Sequence, residues 1–250
     1  MPDHLQINAT PTVAPIGRGA GWILDGFTYF KKSPMHWIGV LVLLILIYAV
    51  LNYIPVIGVL AGQLLLPVFF GGLMLGCHAQ AQGNDFSVNH LFAGFTEHGS
   101  NLVILSLLYL LGMIVITILL AVLIFILPGG LDLFNQLEAG NVEAAEAARS
   151  GALLMVLILL SAMALYIPLA MAYWFAPVLI VLNGMSPVNA MKTSFRGCLY
   201  NVLPFLVYGI VALVFFFIAM IPLMLGLLVL LPMMIASVYI AYREIFLPAA

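Results

Sequence analysis

The side chains best suited to bind a metal or to catalyse crowd into CHAQAQGNDFSVNHLFAGFTEH, which holds Cys77, His78, Asp85, His90, Glu97 and His98. A metal site needs several such donors converging on one ion at about 2.0–2.3 Å. No pair in this stretch has the tight separation of known zinc sites, and His90 and Glu97 share a helical face only at i and i+7. Ser87 reads instead as the N-cap of a helix whose wet face carries His90 and Glu97. Its greasy face is Val88, Leu91, Phe92 and Phe95. Fingerprints of serine hydrolases, phosphate-binding glycine loops and dinucleotide folds are absent from the sequence. No catalytic residue, metal ligand, cofactor-binding residue or cofactor is assigned.

A second kind of chemistry is recognition of a charged lipid surface. Lys32 beside Phe30, Arg196 beside Phe195, and Phe95 combine a cation or a ring with an amphipathic segment, and these five residues are the lipid-interface candidates. An arginine at such a place can hold a phosphate through two parallel hydrogen bonds. Ionisable groups at mid-membrane, the usual trace of ion or proton transport, are not visible. The polar residues inside the apolar segments are neutral, among them Ser106, Thr117, Ser161 and Ser237. Asn52, Gln63 and Tyr173 are the candidates to line a midplane site, with Pro67, Pro168 and Pro232 as the interruptions that would build it.

The elements that must position these residues follow from composition. With 65% hydrophobic and 6% charged residues, the chain lies far from the roughly 25% charged residues of soluble domains, and its solvent is a bilayer. A net charge of −2 without a basic cluster argues against a nucleic-acid partner. Cys77 and Cys198 are too few for a disulfide framework and read as free thiols. Crossing about 30 Å of hydrocarbon takes roughly 20 helical residues. Apolar segments long enough appear near 35–54, 56–78, 101–127, 150–182, 202–221 and 223–242. The class is all-α integral membrane with about six transmembrane helices. Residues 1–20 read as a disordered or extended tail and 21–247 as a single transmembrane domain.

Val88, Asn89, Phe95 and Asn101 recur one hundred positions on as Val188, Asn189, Phe195 and Asn201, and Ile23, Phe27 and Phe30 form a weaker third copy. The expectation is three repeats of interfacial helix plus helical hairpin. In this reading Ile23, Phe27 and Phe30 lie on the membrane side of the first interfacial helix, as do Val188, Met191 and Phe195 in the third. Pro55 and Pro222 make tight hairpins, while Pro168 and Pro177 predict a kinked or re-entrant fourth segment. Gly58 with Gly62 and Gly72 with Gly76 have the spacing of close helix packing, within the chain or in a homo-oligomer. Arg18, Lys31, Lys32, Lys192, Arg196 and Arg243 fall on one side of six spans and Arg149 on the other, which predicts cytoplasmic termini. The acidic loop Pro128 to Ser150 is then on the opposite side.

SVNHLFAGF, LAMAYWFAPVLI, SPVNAMKTSFRGCLYNVLPFLVYG, YREIF and DGFTYFKKSPMHWIGV together resemble an uncharacterised proteobacterial family of multi-pass inner-membrane proteins. That family is distantly similar to the membrane domains of some glycerophosphodiester phosphodiesterases, and the resemblance implies the bacterial cytoplasmic membrane. Three functions remain open. The first is a non-enzymatic protein whose partners are membrane lipids, interacting with them or organising the envelope. The second is a transporter or channel for a neutral or amphipathic solute. The third is a membrane enzyme using His78, His90 and Glu97.

Overall fold

The computed structural model describes residues 5–96, 98–126 and 145–248. In chain order the helices are α1 (Arg18–Lys32), α2 (Pro34–Asn52), α3 (Ile57–Ala81), a 3-10 helix (Val88–Phe95), α4 (Gly99–Ile126), α5 (Ala145–Trp174), α6 (Ala176–Asn183), α7 (Pro187–Tyr200), α8 (Val202–Met220) and α9 (Leu227–Phe246). Among the described residues there is no strand. Among the described residues six segments are long and apolar enough to cross a membrane: α2, α3, α4, Leu154–Asn183, α8 and α9. Helix α1 starts inside the stretch read as tail. The acidic loop from Pro128 lies outside the described residues up to Ala145, where helix resumes.

The chain forms two compact units, Met1–Leu107 with Met171–Ala250, and Leu108–Ala170. In the smaller unit, a Cβ on Gly112 would touch the Leu169 side chain at 2.9 Å, and the Thr117 and Tyr166 hydroxyls are hydrogen-bonded at 3.0 Å. In the larger unit α3, α6 and α9 supply most of the buried core, and α6 is buried along nearly its whole length. Trp37, buried on α2, stacks on Phe86 at 4.1 Å, and Phe86 stacks in turn on the His90 ring.

Helix α1 corrects the sequence reading of its face. Its buried stripe is Gly19, Trp22, Ile23, Gly26, Tyr29 and Phe30, and it docks on protein, against α9 and α8. Phe30 is only 8% exposed, so it is a core residue, while Phe27 is left at the exposed edge. The glycines explain why apolar periodicity misplaced this face. A Cβ on Gly26 would meet the Met233 carbonyl and, at 3.3 Å, the Ser237 amide; one on Gly19 would meet the Pro204 carbonyl and, at 2.8 Å, the Tyr208 amide. Glycine carries no hydrophobic signal, yet it lets two backbones touch.

The second amphipathic segment is a 3-10 helix, which changes its faces. At three residues per turn, side chains at i and i+3 eclipse. Val88, Leu91 and Gly94 therefore fall on one row against protein, with Leu91 and Gly94 buried. Phe92 and Phe95 fall on another, half-exposed row, both edge-on to Phe69 at 6.1 and 5.5 Å.

Gly26→Val should force α1 off α9, and overpacking of this kind costs about 1–3 kcal/mol. Thermal unfolding in detergent should show a melting temperature several degrees lower. Gly17→Ala, where a Cβ meets nothing within 4 Å, should leave it unchanged.

Candidate functional site

The site begins with the tail. Residues 5–17 run without helix as far as the turn leading into α1, and they are pinned from the start. The Leu5 amide donates to Leu182 O (3.1 Å), Asn8 to Phe246 O (2.8 Å) and Thr12 to Ile245 O (2.7 Å). Two asparagines complete the strap. Asn201 accepts the Ala14 amide on Oδ1 (2.8 Å) and donates through Nδ2 to Thr12 O (3.0 Å). Asn183 donates to Leu5 O (2.6 Å) while its Oδ1 accepts the Tyr242 hydroxyl (2.8 Å). A segment with no helix of its own must have its backbone groups satisfied from outside, and these side chains do so.

Helix α7 forms the other wall. Pro187 stands at its first position, where a missing N–H costs nothing. Its buried residues are Pro187, Ala190, Ser194, Gly197 and Cys198. The apolar stripe expected on the membrane side stays off this protein-facing side. Val188 is exposed and Met191 and Phe195 are half-buried, because small residues seat the helix closely. Ser194 also mends the break in the fourth span, where Pro177 stops α5 from continuing through Phe175. Its hydroxyl accepts the Phe175 amide (2.9 Å) and donates to Met171 O (2.6 Å). The fourth segment is thus a broken helix with a buried second part.

With its small face inward, α7 turns Lys192 and Arg196 outward, one turn apart. Between α7 and the strap lies a groove of about 620 Å³ lined by Ala9, Thr10, Pro11, Lys192, Phe195, Arg196, Leu199 and Tyr200. Phe195 and Leu199, also one turn apart, give it an apolar floor. Neither cation forms an ion pair among the described residues. Arg18, by contrast, is fully engaged: its Nε donates to both Glu244 oxygens (3.1 and 2.9 Å) and its Nη2 to Asp25 (2.9 Å). Partial burial works against its charge, but the hydrogen bonds to Asp25 and Glu244 outweigh that effect and its pKa is raised. Lys32 sits 5.7 Å from the centre of the Tyr29 ring.

The other candidates are dispersed. Asn52 is the last residue of α2, its Nδ2 donating to Tyr48 O (2.8 Å), and it shares with Gln63 a notch of about 180 Å³ at the α2–α3 turn. Tyr173, near the end of α5, does not line that notch. These residues do not build a common midplane site. His78 pairs with the Tyr239 hydroxyl (2.9 Å) and Gln82 (3.0 Å), whereas the His90 Nδ1 accepts the Ser87 amide (3.1 Å) in a reciprocal cap. The two histidines have separate structural partners, and Glu97 lies outside the described residues. No group of three His, Cys, Asp or Glu side chains comes together as a metal-binding set among the described residues.

Phe195 and Arg196 stand out in the sequence, whereas Lys192 joins the candidate site only in the structure. Its i, i+4 spacing from Arg196 was the available signal. The strap residues gave none, since they meet α7 from nearly the far end of the chain.

A probable inner membrane protein of Burkholderia thailandensis is 30% identical to this chain over 195 residues, which cover 77% of the chain and 71% of the relative. No protein-family model matches. No solved structure matches either.

Burial pushes the Cys198 thiol up to about 12. At pH 8 the reactive thiolate is then on the order of one part in ten thousand. In a Cys77→Ser background, iodoacetamide at pH 8 should leave the folded protein unmodified by intact mass and label Cys198 once the protein is denatured. Stoichiometric labelling of the native protein would contradict this packing.

Proposed function

Because the chain belongs to the same family as the Burkholderia thailandensis probable inner membrane protein, we propose that this multi-pass inner-membrane protein binds the phosphate of an anionic phospholipid between Lys192 and Arg196. In this reading its role is to interact with lipid or organise the envelope, without catalysis. The observation that carries it is the groove: two cations one helical turn apart, without an ion pair among the described residues, beside the apolar side chains of Phe195 and Leu199. A guanidinium matches two phosphate oxygens at once, an ammonium adds a mobile point charge, and the floor accepts the first methylenes of an acyl chain. Snorkelling side chains keep both charges level with the headgroups. In this reading the termini are cytoplasmic, and the distribution of basic residues outside the spans supports it.

Each basic residue at such a surface contributes about 1 kcal/mol, or about fivefold in retention, and salt screens it. Native mass spectrometry from nanodiscs of equal phosphatidylglycerol and phosphatidylcholine should show preferential retention of phosphatidylglycerol by the wild type. Arg196→Gln should lower that retention about fivefold, and Lys192→Gln with Arg196→Gln should abolish the preference, at an unchanged melting temperature. Equal retention by wild type and double variant at low ionic strength would overturn the reading.

A further inference from the structure

From Gly209 through Ala236, across most of α8, the turn and the first half of α9, no side chain is polar. The turn itself, Ile221 to Gly226, is a strongly exposed apolar surface, with Leu223 at 90%. A loop in water is normally polar and takes glycine or asparagine wherever φ is positive. Here the two left-handed positions are Leu223 (φ 52°) and Met224 (φ 65°). The side chains at this turn have been kept apolar even where the backbone favours other residues. The turn between α2 and α3 also has an apolar left-handed position, Val56 (φ 64°), but Asn52 and Tyr53 stand beside it, whereas the α8–α9 turn has no polar side chain.

Most backbone amides of the turn pair within it or with the end of α8. Ile221 donates to Ile218 O, Leu223 to Ile221 O, Met224 to Met220 O, Leu225 to Pro222 O and Leu227 to Met224 O, all between 2.9 and 3.2 Å. Pro222 has no N–H to satisfy. Internal pairing of this kind is what hydrocarbon requires and water does not. Gly226 makes the turn tight: a Cβ there would meet the Ala219 Cα at 2.5 Å.

Depth can be read from the other end of α9. Arg243 is exposed, so its charge belongs at the headgroup level. The helix rises roughly 25 Å from Gly226 to Arg243, at about 1.5 Å per residue. The hydrocarbon core is about 30 Å thick, and any tilt shortens the reach further. We infer that the α8–α9 hairpin ends inside the bilayer, with its tip, Ile221–Gly226, seated among the acyl chains of the leaflet remote from the termini. The tip contacts lipid rather than the aqueous phase beyond.

Nitroxide accessibility in nanodiscs tests this with the full chain. Leu223→Cys, and separately Leu225→Cys, are labelled in a Cys77→Ser, Cys198→Ser background and compared with Gln6→Cys in the exposed tail. Collision with oxygen, which partitions into hydrocarbon, should be high at both tip positions, and collision with a water-soluble nickel chelate at least fivefold below that at Gln6. A nickel-chelate accessibility closer than fivefold to that of Gln6 would place the tip in water and overturn the inference. Low accessibility to both reagents at both positions would overturn it too, because the tip would be covered by protein.

Discussion

One carboxylate ties the two ends of the larger unit together. Glu244, near the end of α9, receives the Arg18 guanidinium on both oxygens and the Trp22 indole N–H at 2.9 Å. The geometry holds only if α1 lies directly on α9, which Gly19 and Gly26 make possible. Once α1 is fixed there, the tail preceding it must run back across the ends of α9 and α6. Asn183 and Asn201 then hold it against α7, and the groove acquires its second wall. Arg18, Asp25 and Glu244 are partly exposed, so solvent screens the cluster, and its part is to set the seating of α1 on α9.

A second constraint runs through the same unit: at several helix breaks and crossings a side chain takes a backbone hydrogen bond. Ser194 does this at the break before α6, and Ser106 donates from α4 to Leu64 O of α3 at 2.9 Å. The Ser87 and His90 cap does it for the 3-10 helix. In a soluble protein water would serve, and such residues would be interchangeable. Here Ser194, Asn183 and Asn201 each have a definite backbone client, and they sit beside the functional surface as its supports.

The membrane class and the six apolar segments were legible because hydrocarbon imposes a length and a composition that a single sequence displays. The break in the fourth segment was legible from Pro177. The protein-facing sides of the amphipathic elements were not. Apolar periodicity cannot tell a stripe that meets lipid from one that meets protein, and in α1 and α7 the decisive residues were Gly19, Gly26, Ala190, Ser194 and Gly197, which carry almost no hydrophobic signal. The 3-10 geometry of Val88–Phe95 depends on its tight crossing with α3 at Gly72, a tertiary cause. Arg196 and Phe195 were found from local chemistry. The strap opposite them was beyond reach, because nothing in Ala9, Thr10 or Pro11 announces a partner some 180 residues away.

The account turns on what occupies the space between strap and α7. Photocrosslinking in living cells from p-benzoylphenylalanine at Tyr200, on the rim of that groove, asks this directly. Mass spectrometry of the purified adduct should find a diacyl lipid with an anionic headgroup, enriched over its share of the membrane. An adduct with the bulk zwitterionic lipid in proportion to its abundance, or with protein alone, would contradict it.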